Sequence, residues 1–211
     1  MNSIIEYLDC LFPNPCCELN YTKDYELLIS VMLSAQTTDK MVNKVTSILY
    51  KKYDTIDKLS TANITDIKSI IKPLGNYNKK ASNIIEISKR LIQDTNGVVI
   101  NDRVYLESLP GVGRKTTNVV LANLYNEDVI AVDTHVARVS KRLGIVKNSD
   151  DVLVIEKKLN KKFPKDKLGR LHHQLVLFGR YYCKAISPSC IDCKLKNICK
   201  YYKKNNKEVN K

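Results

Sequence analysis

Apolar residues recur at helical spacing along most of this sequence, and that periodicity limits the possible folds more than any other feature. In YELLISVMLSA, residues 25–35, the apolar side chains return to one helical face, and Asp24 precedes them as the predicted N-cap. The apolar pieces at 98–100 and 129–132 are too short to build a sheet. The spacing therefore predicts an all-α fold.

The same spacing predicts further helices along the rest of the chain. They cover about 39–53, 63–71, 79–94, 102–108, 115–125, 133–143, 151–162 and 167–182. After Cys199 the chain becomes polar and basic, and we expect that tail to fray.

The charge balance favours a polyanionic partner. Thirty-five Lys and Arg residues stand against 22 Asp and Glu, which leaves a net charge of +13. Cationic side chains release the counterions condensed on phosphates, so an excess of this size favours nucleic acid. A composition bias of the genome is the alternative explanation. The first residues do not resemble a secretory signal, and no apolar run reaches the roughly 18 residues of a membrane span, so we expect a reducing compartment.

The stretch LESLPGVGRKTTNVVLANLY, residues 106–125, carries the most chemical information. Gly111 and Gly113 follow Pro110 between two predicted helices. Glycines there allow a tight turn and a close approach to a ligand. The second helix then begins with outward N–H groups, which favour an anion such as a DNA phosphate. A plain helix–turn–helix without a ligand is the alternative.

Two ionisable residues follow this hairpin. Lys115 falls in the first turn of the new helix, where the positive end of the helix dipole favours the free amine that a nucleophile needs. Asp133 opens the next helix in AVDTHVARV and is also a good N-cap. Together, an amine and a carboxylate near a phosphate-binding loop suit attack at a deoxyribose carbon. The amine would displace the base, and the carboxylate would stabilise the cationic sugar.

The seven cysteines form two groups. The C-terminal group has the spacing C-x6-C-x2-C-x5-C and consists of Cys183, Cys190, Cys193 and Cys199. Four thiolates of this kind bind either zinc or a [4Fe–4S] cluster, and the spacing alone slightly favours zinc, because zinc sites are commoner. The N-terminal group is predicted to be small buried hydrophobes without a metal, namely Cys10, Cys16 and Cys17.

These motifs resemble the endonuclease III family of helix–hairpin–helix DNA glycosylases. The likeness is specific in LPGVGRKT, in VDTHVARV, in LLISVMLSAQTTD and in the cysteine spacing, and it extends from about residue 18 to 200. It implies that Lys115 is a Schiff-base nucleophile and Asp133 the essential carboxylate. It also implies that Gln36 enters the gap left by an extruded nucleotide and that the four C-terminal cysteines hold a [4Fe–4S] cluster.

The resemblance further implies an architecture and an activity. Residues 18–128 would form a helical barrel domain with the hairpin at about 102–125. Residues 1–17 and 129–211 would form a second helical domain with the cluster, and Lys115 and Asp133 would face each other across a cleft. The implied enzyme is a bifunctional glycosylase and abasic-site lyase for oxidised or damaged pyrimidines. Its partner would be duplex DNA and not a membrane. Apart from the resemblance, a monomer is expected because a lesion lacks the two-fold symmetry that dimeric binders match. Since no targeting segment is recognised, we expect the chain in the cytoplasm at the nucleoid or in another DNA-containing compartment.

The resemblance also implies a set of DNA contacts beyond the catalytic pair. They are Gln36, Asn76, Tyr77, Gly111, Gly113, Arg114, Thr134, His135 and Lys184. Two of these positions depart from the pattern. Relatives often have a leucine wedge where this chain has Asn76, and Leu74 is a candidate substitute. Lys184 is the one basic residue between the first two cluster cysteines, where relatives carry several.

Three other functions fit parts of the sequence. A monofunctional glycosylase would lack a lysine at position 115, and adenine enzymes add a glutamate within LLISVMLSAQ, which has none here. A non-catalytic DNA-binding module needs neither Lys115 nor Asp133. A ferredoxin-like electron carrier needs no DNA-binding hairpin. We therefore expect the bifunctional enzyme.

Overall fold

The structure is a computed structural model that describes residues 2–205. Within that range it contains helices and no strands, which confirms the predicted all-α class. The α-helices are α1 Asn2–Leu11, α2 Asp24–Leu33, α3 Asp39–Lys52, α4 Ile56–Ser60, α5 Ile64–Ile71, α6 Tyr77–Thr95, α7 Arg103–Ser108, α8 Arg114–Tyr125, α9 Thr134–Leu143, α10 Val152–Lys162, α11 Leu168–Tyr181 and α12 Lys200–Asn205. A short 3-10 helix, Lys165–Lys167, precedes α11.

The helices between residues 2 and 205 are all too short or too polar to cross a lipid bilayer.

The chain divides into two compact units. One is Cys17–Tyr125, and the other joins the segment before Cys17 to the segment after Tyr125. The family resemblance implies boundaries at 18 and 128. Each unit has its own buried core.

Helix α2 forms the centre of the Cys17–Tyr125 unit. Its residues Tyr25–Leu33 are all buried, and it packs against α3, α6 and α8. A central helix needs apolar residues on every face, which explains why this segment is apolar almost throughout. Burial of each Leu or Ile side chain stabilises the unit by about 1.5–3 kcal/mol.

The start of α2 differs from the sequence prediction. Lys23, and not Asp24, is the N-cap, and the Glu26 side chain accepts a hydrogen bond from the Lys23 amide at 3.3 Å. Asp24 is the first helical residue, and its carboxylate accepts from the distant Val99 amide at 2.7 Å. The carboxylate therefore satisfies a backbone group of a loop far along the chain, a contact that local spacing does not predict.

The second unit is built around α9 and α11, with α1 packed on α11 and α12 on α9. Asp9 near the end of α1 accepts hydrogen bonds from Arg170 and Gln174 of α11, both at 2.8 Å. These bonds lower the pKa of the Asp9 carboxyl, Gln174 having the larger effect. The N-terminal helix is thereby held on a helix that lies more than 150 residues away in sequence.

Two sequence predictions in this unit were wrong. Cys10 is exposed, because the buried face of α1 is formed by Ile4, Tyr7 and Leu8, and Cys16, after that helix, is exposed as well. The chain after Cys199 does not fray at once but forms α12. Its two tyrosines, at 201 and 202, pack against the core of this unit, and that burial gives a polar segment a reason to order. The tail beyond 205 lies outside the described residues.

Candidate active site

The predicted hairpin consists of α7, a five-residue loop and α8. Leu109 and Val112 of the loop are buried, at 2% and 4% exposure, and they anchor it to the core. Gly111 between them has a φ of +79°, and a Cβ there would run into the Asn83 side-chain nitrogen and lie 3.3 Å from Met32. Glycine is required at 111 both by its backbone conformation and by this close packing.

Gly113 serves a different purpose in the same loop. A Cβ at this position would meet no protein atom within 4 Å, so packing does not explain it. It immediately precedes α8, and its carbonyl accepts the Thr117 amide at 3.0 Å. The exposed loop thus leaves room beside the first turn of α8, the place where backbone N–H groups favour an anion.

Lys115 is exposed and is the second residue of α8, next to Arg114, which is also exposed. The helices around it are fixed by two arginines. Arg90 of α6 donates to the Ser108 carbonyl at 2.8 Å, and Arg103 of α7 donates to the Asn118 side chain at 2.8 Å. The predicted nucleophile therefore stands on a rigid hairpin with its side chain open to solvent.

Asp133 lies in the other unit and is the N-cap of α9, as the sequence predicted. Its Oδ1 accepts the Val136 amide at 2.7 Å, and the buried residues 130–132 lead into it. One carboxylate oxygen is thus engaged in capping. Thr134, the next predicted contact, is exposed at the first position of the helix.

His135 is half-buried on the first turn of α9. Its Nδ1 lies 3.1 Å from a guanidinium nitrogen of Arg138. The Gly179 backbone forms a further hydrogen bond with this ring. Burial lowers the pKa of His135, which agrees with a neutral ring. A lowered pKa favours the uncharged ring, so His135 offers a neutral hydrogen-bonding group on the first turn of α9.

Arg138 and Gly179 hold this turn in place, and sequence reasoning missed both. Arg138 donates to the Gly179 carbonyl at 2.8 Å and to the Cys183 carbonyl at 3.2 Å. A Cβ at Gly179 would lie 2.8 Å from the His135 Cβ, so α11 can approach α9 this closely only with glycine. The signal in the sequence was a glycine in the interior of α11, in addition to Gly169 in its first turn.

Two exposed residues of the Cys17–Tyr125 unit, Gln36 and Asn76, have left-handed backbones with a φ of +57° each. Gln36 follows α2, and Asn76 is the N-cap of α6. The alternative wedge, Leu74, is only 1% exposed and belongs to the core. Of the two candidates, Asn76 is the one presented at the surface, with Tyr77 half-buried beside it.

The four C-terminal cysteines line one pocket. Its walls are mostly apolar and include Leu143, Phe178, Tyr182 and Tyr201. Burial raises the pKa of the Cys190 and Cys193 thiols, and the proximity of the other pocket cysteines raises it further. Within residues 2–205, no three Cys, His, Asp or Glu side chains are arranged to bind a single metal ion. The thiols surround the pocket instead of meeting at one point.

Arg142 of α9, which sequence reasoning did not single out, contacts two residues that line this pocket, Cys183 and Tyr201. It donates to the Cys183 sulfur at 3.4 Å and to the backbone carbonyl of Lys184 at 2.6 Å. Its guanidinium lies 4.3 Å from the ring centre of Tyr201. The cysteine loop is thereby ordered through its backbone, while the Lys184 side chain remains exposed.

Comparison with known proteins decides the family. The model of the HhH-GPD superfamily of base excision DNA repair proteins matches residues 29–165. Endonuclease III of Bacillus subtilis is 46% identical over 198 residues, which cover 94% of this chain and 90% of that protein. The chain belongs to the endonuclease III family. Endonuclease III of Escherichia coli K12 is similar as well, with 44% identity over 91% of this chain and 90% of that protein.

Solved structures agree with membership of the endonuclease III family. A non-covalent endonuclease III–DNA complex superposes with a TM-score of 0.93 and 44% identity, over 98% of this chain and 96% of that one. A trapped endonuclease III–DNA covalent intermediate gives a TM-score of 0.91 and 44% identity, over 97% and 98% of the two chains. Like other endonuclease III proteins, this chain is a base-excision-repair DNA glycosylase and abasic-site lyase, as the motifs predicted.

Proposed function

We propose that this endonuclease III-family protein removes oxidised or otherwise damaged pyrimidines from duplex DNA and that Lys115 is its nucleophile. One observation carries the assignment of the lysine: Lys115 is exposed at the first turn of α8, beside the open position at Gly113. A relative of 44% identity has been trapped as a covalent intermediate with DNA, which supports a covalent route. The name endonuclease III supports the pyrimidine class.

The chemistry begins when the free amine of Lys115 attacks C1′ of the damaged nucleotide. The bond between C1′ and the base breaks, and the base leaves with the bonding electrons and takes up a proton. The sugar ring opens to a protonated Schiff base, which acidifies the C2′ proton. Loss of that proton expels the 3′ phosphate by β-elimination, and water then releases the lysine. We assign to Asp133 the stabilisation of positive charge on the sugar as the base departs.

DNA binding follows from charge and from the exposed loops. The +13 net charge favours phosphates, and the first turn of α8 offers backbone donors to one of them. The target nucleotide must leave the duplex, since C1′ is shielded within the stack. We propose that Gln36, Asn76 and Tyr77 probe the resulting gap. The remaining proposed DNA contacts are Gly111, Gly113, Arg114, Thr134, His135 and Lys184.

We also propose that the protein acts as a monomer, because a lesion lacks the two-fold symmetry that dimeric binders match. Light scattering should then give the mass of one 24.1 kDa chain for the free protein, and the mass of one chain plus one duplex when damaged duplex is bound. We place the protein at the nucleoid or in another DNA-containing compartment, where a fluorescent fusion should overlap with stained DNA.

The lesion class is tested by comparing duplexes that differ in one base. We expect base release from a thymine glycol duplex to be at least about tenfold faster than from an 8-oxoguanine duplex, equivalent to about 1.4 kcal/mol in the barrier. Single-turnover reactions quenched with and without alkali would separate base release from strand cleavage. An undamaged duplex is the control, and faster release of the purine lesion would contradict the proposed class.

We propose that Cys183, Cys190, Cys193 and Cys199 hold a [4Fe–4S] cluster. The four thiols line one apolar pocket, and this donor set is the one such clusters use. The family's general use of this cofactor supports the choice over zinc. When bound, the cluster would cross-link residues 183–199 and replace the four thiol protons with iron–sulfur bonds. Loading therefore requires deprotonation of Cys190 and Cys193, which burial opposes.

Two cysteine variants test the cluster. Cys193→Ser should lower bound iron from about four atoms per chain and remove the broad visible absorption, because it deletes a half-buried pocket thiol. Cys16→Ser is the matched control, since Cys16 is exposed and lies outside the pocket. It should retain iron and absorption. Stoichiometric zinc in the unaltered protein, or iron loss in the Cys16 variant, would contradict the assignment.

A further inference from the structure

Helix α6 presents one stripe to the loops proposed to contact DNA. Asn76, Lys80 and Asn83 are spaced four and three residues apart, so they fall on one helical face. Asn76 is the exposed, left-handed N-cap, and the Asn83 side chain packs against Gly111 of the hairpin. Lys80, between them, is the unexpected member, because it is only 5% exposed.

The ammonium group of Lys80 binds the residues on both sides of Gln36, and residues 35–37 are named the Gln36 turn. It donates to the Ala35 carbonyl at 2.8 Å and to the Thr37 hydroxyl at 3.4 Å. Gln36 lies between these two residues in the sequence, and its backbone is left-handed, with a φ of +57°. A left-handed backbone is strained for glutamine and persists only where its surroundings hold it. Lys80 provides two such restraints.

Burial of the Lys80 ammonium group carries a free-energy penalty. Within residues 2–205 no carboxylate forms an ion pair with Lys80, and burial lowers its pKa. Burial of a charge without a counterion destabilises a fold, whereas a methionine would fill the same space without that penalty. Stability therefore does not account for Lys80. Its hydrogen bonds instead join the Gln36 turn to the helix that begins at Asn76.

We propose that Lys80 is a positioning residue for lesion recognition, which fixes the Gln36 turn in its DNA-contacting conformation and couples it to the Asn76 end of α6. This inference rests on the proposed function in one respect, namely that Gln36 contacts DNA. Lys80 itself touches neither the substrate nor the reacting atoms. It acts through Gln36, so its effect on binding should disappear once the Gln36 side chain is absent.

A double-mutant cycle tests this dependence. The probe is a duplex with a tetrahydrofuran abasic analogue, which has no aldehyde and cannot form a Schiff base. We expect Lys80→Met and Gln36→Ala each to raise the Kd by about tenfold. The Kd of the double variant should be no higher than the higher of the two single-variant values. Lys89→Met removes an exposed lysine from the same helix and should change the Kd by less than about twofold.

A second readout separates positioning from a general structural defect. Strand cleavage at a natural abasic site, measured at saturating protein, should stay within about threefold of the unaltered rate in Lys80→Met, because Lys115 is unaffected. Amide hydrogen exchange should accelerate in residues 35–37. If Lys80→Met does not fold, Thr37→Val removes one of the two acceptors and should weaken binding in the same direction.

The outcomes distinguish the two hypotheses. If the unaltered protein does not bind the analogue, or Gln36→Ala binds as tightly, the proposed DNA contact fails. If Gln36→Ala weakens binding while Lys80→Met has no effect, or its effect is fully additive, the role of Lys80 fails. Unchanged binding by Thr37→Val, in the case where Lys80→Met does not fold, would overturn it as well.

Discussion

A Lys115→Ala variant should give no covalent adduct when sodium borohydride is added to its reaction with a thymine glycol duplex. Borohydride reduces a Schiff base to a stable amine, and alanine has no nitrogen with which to form one. The unaltered protein should be trapped, and digestion of its adduct should place the DNA on the peptide that contains Lys115. Base release and strand cleavage by the variant should both fall by at least about 10³-fold.

The same variant should still fold and bind. Lys115 is exposed on the first turn of α8, and alanine is a better helix former, so the free energy of unfolding should change by less than about 0.5 kcal/mol. Lys89→Ala, at another exposed lysine of the same unit, is the control and should be trapped normally. A persistent adduct in Lys115→Ala would assign the chemistry to another amine. No adduct from well-folded unaltered protein would favour a monofunctional glycosylase or a binding module.

The fold was predictable because its information is local. Helices α5 to α11 follow from apolar spacing within single segments, and the structure places them within about two residues of the predicted ends. The sequence did not predict α1, α4 or α12, and α4 and α12 are too short to show a clear apolar period. Helix α12 is six residues long and polar, and the packing of its tyrosines near the cysteine pocket explains its order.

Part of the candidate site could also be predicted from short sequence motifs. The glycine loop, Lys115 and Asp133 stand in short motifs, and the structure puts each in the predicted kind of position: a tight turn, a first helical turn and an N-cap. The supporting contacts could not be predicted in this way. Lys80 reaches a turn 45 residues earlier, and Arg138 reaches a carbonyl 45 residues later. Sequence spacing within one helix does not report such contacts.

Whether a given side chain is buried or exposed could not be predicted from its residue type. Leu74 has the side chain of a wedge, but it is 1% exposed and its removal from the core would cost about 1.5–3 kcal/mol. Cys10 and Cys16 have the residue type of buried hydrophobes but lie on the surface. Which face of a segment is covered depends on its partners in the fold, and no single segment of sequence contains that information.

Asp133 has two roles that one substitution can separate. As an N-cap it accepts the Val136 amide at 2.7 Å, and in the proposed mechanism it stabilises positive charge on the sugar. Asparagine caps helices about as well as aspartate but carries no charge. Asp133→Asn should therefore change the free energy of unfolding by less than about 1 kcal/mol while slowing base release by about 10²–10³-fold. Single-turnover kinetics and thermal unfolding would measure the two effects.

The chain contains a matched control for this substitution. Asp151 caps α10 with the same geometry, its Oδ1 accepting the Val154 amide at 2.8 Å, and no role in the reaction is proposed for it. Asp151→Asn should leave base release within about twofold, because only a cap is replaced by an equivalent cap. Asp133→Ala would add the loss of the cap, about 1 kcal/mol, to the loss of charge. If Asp133→Asn excised bases as fast as Asp151→Asn, the carboxylate would be a helix cap alone, and charge stabilisation during base release would have to come from another group.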